Sequence, residues 1–177
     1  MIVKKGNPVL RAETKAVMLT EIGSPEINKI IKTMSRALSN APDGIGIAAP
    51  QVGISLKIFL ASEEALRAKT ATVKTETDQK ETKKQWEHYV FINPKILKYS
   101  RKRAVSTEGC LSVPGLYGIV KRSEKVKIEA YDKYGKKFQM GAAGLFARLL
   151  QHEVDHLNGA LFIDKAEKVV KIHNENK

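Results

Sequence analysis

One cysteine, Cys110, occurs in 177 residues, so no disulfide can form within the chain. That excludes the disulfide-stapled scaffolds of small secreted domains. No apolar run approaches the ~20 residues of a membrane span. The opening MIVKKGNPVLR lacks the apolar stretch of a signal peptide, so no membrane partner is expected and the cytoplasm is the expected location. Acidic residues are also scarce, 19 against 31 Lys and Arg, for a formal charge of +12. A basic surface favours anionic partners such as RNA or the ribosome surface, and Lys-rich solubility explains it equally well. No aromatic-rich RNA-binding motif accompanies the charge, so no specific nucleic-acid partner is expected.

What remains is 42% hydrophobic and 28% charged, enough for one domain, residues 1–177, with a real core. Ser24 to Asn40 predicts an amphipathic helix. Ser24 can cap it, Pro25 suits the first turn, and Ile27, Ile30, Ile31, Met34 and Leu38 share a face. Pro42-Asp43-Gly44 ends it. Leu56 to Ala61 and Tyr89 to Leu97 read as strands, and Lys125 to Met140 as a hairpin turning near Lys133 to Gly135. Gly144 to His156 has helical spacing, with Leu145, Leu149, His152 and His156 on one face. Ser62 to Glu87 is mostly Thr, Lys, Glu and Ala, which predicts a surface insertion with a ribbon near Thr70 to Thr75.

The chemistry concentrates in QHEVDHLNG, Gln151 to Gly159. In a helix, His152 and His156 lie one turn apart and can aim both imidazoles at one ion, while Glu153 can reach a water on it. Buried histidines beside a buried glutamate need a partner to offset desolvation, and a metal supplies one. Hydrolytic sites take three protein ligands. The metzincin pattern fails at Phe162, and Glu167 and Glu175 lie too near the end of the sequence to build a ligand-bearing helix. The third ligand is therefore expected upstream, as the Cys110 thiolate in EGCLSVPG. A third stretch, GIGIAAPQ from Gly44 to Gln51, spells a dinucleotide fingerprint in the wrong context: a helix precedes it and Pro50 would break the one that should follow. Its glycines better suit close approach of backbone to a ligand, with Gln51 offering an amide donor.

Together GIGIAAPQ, EGCLS and QHEVDH resemble the three motifs of the peptide deformylases, in that family's order. GNPVLR and LNGALFID extend the resemblance over most of the chain. It implies an α+β fold with antiparallel sheets around the HExxH helix and an N-terminal amphipathic helix. It implies a metal-dependent hydrolase removing the formyl group from N-formyl-methionyl nascent peptides, with formate released. Cys110, His152 and His156 would hold one divalent metal, Fe²⁺ natively, with Zn²⁺, Ni²⁺ or Co²⁺ able to substitute. Gln51 and the Leu111 N–H would stabilise the oxyanion, and Glu153 would move the proton. Ile45, Gly46 and Gly109 would bind the peptide, and Ile45, Leu145, Arg148 and Leu149 the methionine side chain. For Leu145, plain core packing is nearly as good a reading. Glu108 would pair with Arg122 and steady the Cys110 loop. The ribosome surface is a further, transient partner, although DKAEKVVKIHNENK is short for a docking helix. His88 and His173 are expected in solvent rather than on a metal. An HExxH metallopeptidase is the alternative.

Overall fold

The computed structural model describes residues 1–67 and 88–171. Helix α1 spans Pro25–Ser39. Ser24 Oγ accepts the Ile27 N–H at 3.3 Å and Pro25 sits in the first turn, so the start predicted from sequence is the start that forms. Strand β1 (Gly46–Ala48) pairs with β2 (Ile58–Ser62), and the short helix α2 (Glu63–Arg67) follows. Then come β3 (His88–Tyr99), β4 (Arg103–Cys110), β5 (Val113–Ser123), β6 (Lys125–Tyr131) and β7 (Lys137–Ala143). Helix α3 (Gly144–Leu157) and strand β8 (Ala166–Lys171) end the described chain.

Among the described residues, β1 to β8 pair antiparallel throughout. They form a five-stranded sheet, β1-β2-β3-β6-β7, and a three-stranded sheet, β4-β5-β8. Strand β2 shows what organises the core. Alternate residues of a strand face opposite sides. Phe59 and Ala61 pack with Phe146, Leu149 and Leu150 of α3, whereas Ile58 and Leu60 pack with Ile27, Met34 and Leu38 of α1. Both faces are covered, which is why this strand is a continuous apolar run rather than an alternating one. Phe59 also stacks on Phe91 of the neighbouring strand, with centroids 4.4 Å apart.

Two pins fix the N-terminal segment over this core. Asn93 clamps Val17, accepting its N–H and donating to its carbonyl, both at 2.8 Å. Gly159, at φ +72°, closes α3 against the chain near Arg11. A Cβ there would come 2.5 Å from the Arg11 carbonyl oxygen, so only glycine fits.

Two expectations are corrected. The insertion does not begin at Ser62: β2 runs through Ser62, and α2 places Ala65, 1% exposed, in the α3-side core. Ala65 and Leu66 supply the apolar contacts that the surrounding polar composition concealed. The ribbon near Thr70 to Thr75 lies outside the described residues, as does His173. His88 is not a free solvated side chain. It opens β3, and its Nδ1 is 2.8 Å from Ser35 Oγ on α1. The tail begins as a strand, β8, paired along β5.

Candidate metal centre and cleft

Helix α3 places His152 and His156 one turn apart, with ring centroids 4.9 Å apart. Cys110 arrives at the end of β4, where the chain turns into β5 through Leu111 and Ser112 alone. Cys110 Sγ lies 3.2 Å from His156 Nε2. One ligand atom from each of Cys110, His152 and His156 falls within 4.8 Å of the other two. The upstream thiolate and the two helical imidazoles do converge.

A buried charged chain holds them. Glu108 Oε2 is 2.9 Å from His152 Nδ1, which leaves the other ring nitrogen for the cluster. Arg122 grips Glu108 with two hydrogen bonds, at 2.5 and 2.8 Å, as expected from sequence. It also donates to Asp155 at 2.7 Å, and Lys165 donates to the other Asp155 oxygen at 2.5 Å. Burial alone would raise the Glu108 pKa, but the hydrogen bonds from Arg122 and His152 outweigh it and hold it at about 2.

The same balance is visible among the candidate ligands. Burial opposes charge on His152, yet hydrogen bonding to Cys110 and Glu108 raises it to about 10. Burial, and then the charge of His152, press His156 well below the ordinary imidazole range. Burial pushes Glu153 up to about 7. A soft thiolate with two imidazoles suits a first-row divalent ion, and three protein ligands leave a position open for chemistry. Glu153 Oε2 is buried and has no hydrogen-bond partner, the state of a carboxylate placed to receive a proton. The residues fit a metal.

Gln51, 2% exposed, is oriented from both ends. Its Oε1 accepts the Ala48 N–H at 2.8 Å, so Nε2 faces the cluster, 3.5 Å from Cys110 Sγ and 3.2 Å from Ser112 Oγ. The stretch GIGIAAPQ is accordingly an antiparallel strand followed by a 3-10 turn, not a nucleotide loop. Gly46 is buried against Leu149 and Glu153, where a Cβ would not fit.

A cleft of about 460 Å³ opens over this arrangement. Ile45, Gly46, Gln51, Gly109, Cys110, Leu111, Arg148, Leu149, His152 and Glu153 all line it. His156 lies behind it, 1% exposed. Leu145 is not part of the lining and is 36% exposed at the start of α3. Three contributors were missed in the sequence: Lys4, Ser112 and Asp155. The last two stand inside the motifs EGCLS and QHEVDH, and that was the signal available. Lys4 carries none, because only the fold brings it to the cleft.

The sequence model of the polypeptide deformylases matches residues 1–171. Peptide deformylase 1A, chloroplastic, of Solanum lycopersicum is 43% identical over 164 residues, covering 93% of this chain and 58% of that protein. Thus the chain spans little more than half of that relative's length. Peptide deformylase 1 of Bacillus anthracis is 38% identical over 175 residues, covering 99% of this chain and 95% of that protein. A crystal structure of a class I type b peptide deformylase from Acinetobacter baumannii, with Met-Ala-Ser bound, superposes with a TM-score of 0.77 at 32% identity. It covers 93% of this chain and 96% of that one.

Proposed function

Since the chain belongs to the peptide deformylase family, we propose that it hydrolyses the formyl group from the N-terminal formyl-methionine of newly made polypeptides, releasing formate. The observation that carries this reading is the convergence of Cys110, His152 and His156 beside the buried, unpartnered Glu153 oxygen.

Cys110, His152 and His156 would hold one divalent metal, Fe²⁺ as the resident ion, with Zn²⁺, Ni²⁺ or Co²⁺ able to replace it. Bound there, the ion would supply Lewis acidity toward water and the formyl oxygen. Glu153 takes the proton of the attacking water and passes it to the leaving amine nitrogen. Its raised pKa, about 7, suits a group that must both accept and donate near neutrality. Gln51 Nε2 and the Leu111 N–H donate to the oxygen that becomes negative, and the Gln51 amide is already locked in that direction by Ala48. Ile45, Gly46 and Gly109 offer backbone for an extended peptide, while Leu149 and the aliphatic stem of Arg148 offer apolar surface for methionine. The Met-Ala-Ser peptide in the Acinetobacter baumannii structure supports a methionine-first substrate. A formyl hydrogen is small, and the tight packing of Gly46 on Glu153 and Leu149 favours it over a methyl group.

No helix among the described residues is long and apolar enough to cross a membrane. The charge of +12 supports transient contact with the RNA-rich ribosome surface, and the cytoplasm is the proposed place of action.

The test compares formate release from a formyl-Met tripeptide with cleavage of the same peptide unformylated and N-acetylated. Release from the formylated peptide alone supports the reading. Internal cleavage of the unformylated peptide would instead establish an HExxH endopeptidase.

A further inference from the structure

The N-terminal segment binds both walls of the cleft. Val3 N–H donates to the Gln51 carbonyl at 2.8 Å, and Lys5 N–H to the Ser112 carbonyl at 2.7 Å. Between them the Lys4 ammonium donates to the Leu111 carbonyl at 2.9 Å, across 107 positions of sequence. Leu111 and Ser112 are the whole turn between β4 and β5. Each carbonyl of that turn is therefore held by one N-terminal lysine, one through its side chain and one through its backbone. Ser112 Oγ meets Gln51 Nε2, so the same three N-terminal residues restrain both groups that would face the oxyanion.

We infer that Lys4 is a positioning residue for the oxyanion site, acting through Leu111; this rests on the deformylase reading. A carbonyl and an amide N–H of one residue flank a single α-carbon. Fixing the Leu111 carbonyl limits the rotations that would swing its N–H away from the developing charge. A charge-assisted bond holds better than a neutral one. Lys4 also lines the cleft, so its ammonium, bonded to the Leu111 carbonyl, adds positive potential on the side where negative charge would accumulate during reaction. Lys4 is exposed, and solvent screening makes this second effect modest. Neither effect requires Lys4 to touch the substrate, so the signature is a loss in turnover rather than in binding.

The experiment measures kcat and KM for a formyl-Met tripeptide in the metal-loaded wild type, Lys4→Met and Lys4→Arg, with metal content and melting temperature recorded for each. Lys127→Met, on the exposed side of β6 and outside the cleft lining, controls for loss of one positive charge. Lys4→Met should lower kcat roughly tenfold, less than the ~10²–10³ lost with a direct oxyanion donor. KM should stay within about twofold, and metal content should not change. Lys4→Arg should recover most of the loss, and Lys127→Met should show none. A wild-type kcat in Lys4→Met overturns the inference while leaving the deformylase reading intact. So does a rise in KM alone, which would make Lys4 a substrate-binding cation. Absence of formate release from the wild type would sink both.

Discussion

The Glu153 carboxylate rests against the α-carbon of Gly46: a Cβ built there would lie 2.7 Å from Oε1 and 2.6 Å from Leu149 Cδ1. Glycine at this position lets β1 approach α3 closely at the floor of the cleft. Gly46→Ala must displace either Glu153, the proposed proton carrier, or Leu149, which lines the cleft. Overpacking of this kind costs about 1–3 kcal/mol of stability. The larger effect should be on rate, since a misplacement of about 1 Å can cost ~10² in turnover. Thermal melts beside formate-release kinetics check this; a variant with unchanged kcat/KM would show that the Gly46–Glu153 contact is not used.

Glu153→Ala should separate chemistry from metal retention. The side chain is 2% exposed and is not one of the three clustered ligand residues. Turnover should fall by at least the ~10²–10⁴ attributed to general acid–base catalysis. Metal stoichiometry should be close to wild type. Formate release near the wild-type rate would remove Glu153 from the mechanism.

Arg122 holds two carboxylates whose burial would otherwise be uncompensated. Its side chain is 6% exposed and it bonds both Glu108 and Asp155. Among the described residues, Arg122→Met leaves the Glu108 side chain with only His152 and the Asp155 side chain with only Lys165. Breaking a buried pair from one side typically costs about 3–5 kcal/mol. Lys165→Met should cost less than about 1 kcal/mol, because Lys165 is half exposed and Asp155 keeps Arg122. Urea denaturation of both variants tests the ranking, and equal losses would contradict it.

The site was legible in sequence where chemistry is local. His152 and His156 are four residues apart on one helix, so geometry follows from helical pitch. Cys110 and Gln51 were legible only as motifs, since nothing local says that β4 and the turn after β1 meet at α3. Lys4 is the extreme case: its contact with Leu111 depends on residues 3–5 threading between two distant loops. Among elements, α1 and β2 were readable because a cap, a proline and apolar spacing agree. The β4–β5 hairpin was not read as strands, because Gly, Pro and Ser around the Cys110 motif resemble loop composition. Strand β8 escaped because its exposed Val169 and Val170 and flanking lysines spell no alternating pattern. It forms by pairing with β5, whose partner residues run from Val120, opposite Ala166, to Leu116, opposite Lys171, far upstream in the sequence, rather than by its own propensity.

Cys110 decides whether the two motifs form one site. It contributes the only sulfur to the cluster, and with it removed His152 and His156 remain as a two-ligand fragment. Catalytic metal sites keep three protein ligands, so Cys110→Ala should bind a divalent ion weakly. Ligand binding to the folded state alone raises stability by RT ln(1 + [L]/Kd), ~2.7 kcal/mol at a hundredfold excess over Kd. Chelator-treated wild type should therefore melt several degrees higher once Ni²⁺ or Zn²⁺ is restored, and Cys110→Ala should show little shift at the same concentration. Gln51→Leu, whose amide lies 3.5 Å from the sulfur without joining the ligand cluster, should keep the shift while losing turnover. Under the alternative, in which Cys110 is a small half-buried side chain between β4 and α3, its removal would alter the melting temperature equally with and without metal. A full metal-dependent shift in Cys110→Ala, with stoichiometric ion retained after dialysis, would break the link between EGCLS and QHEVDH.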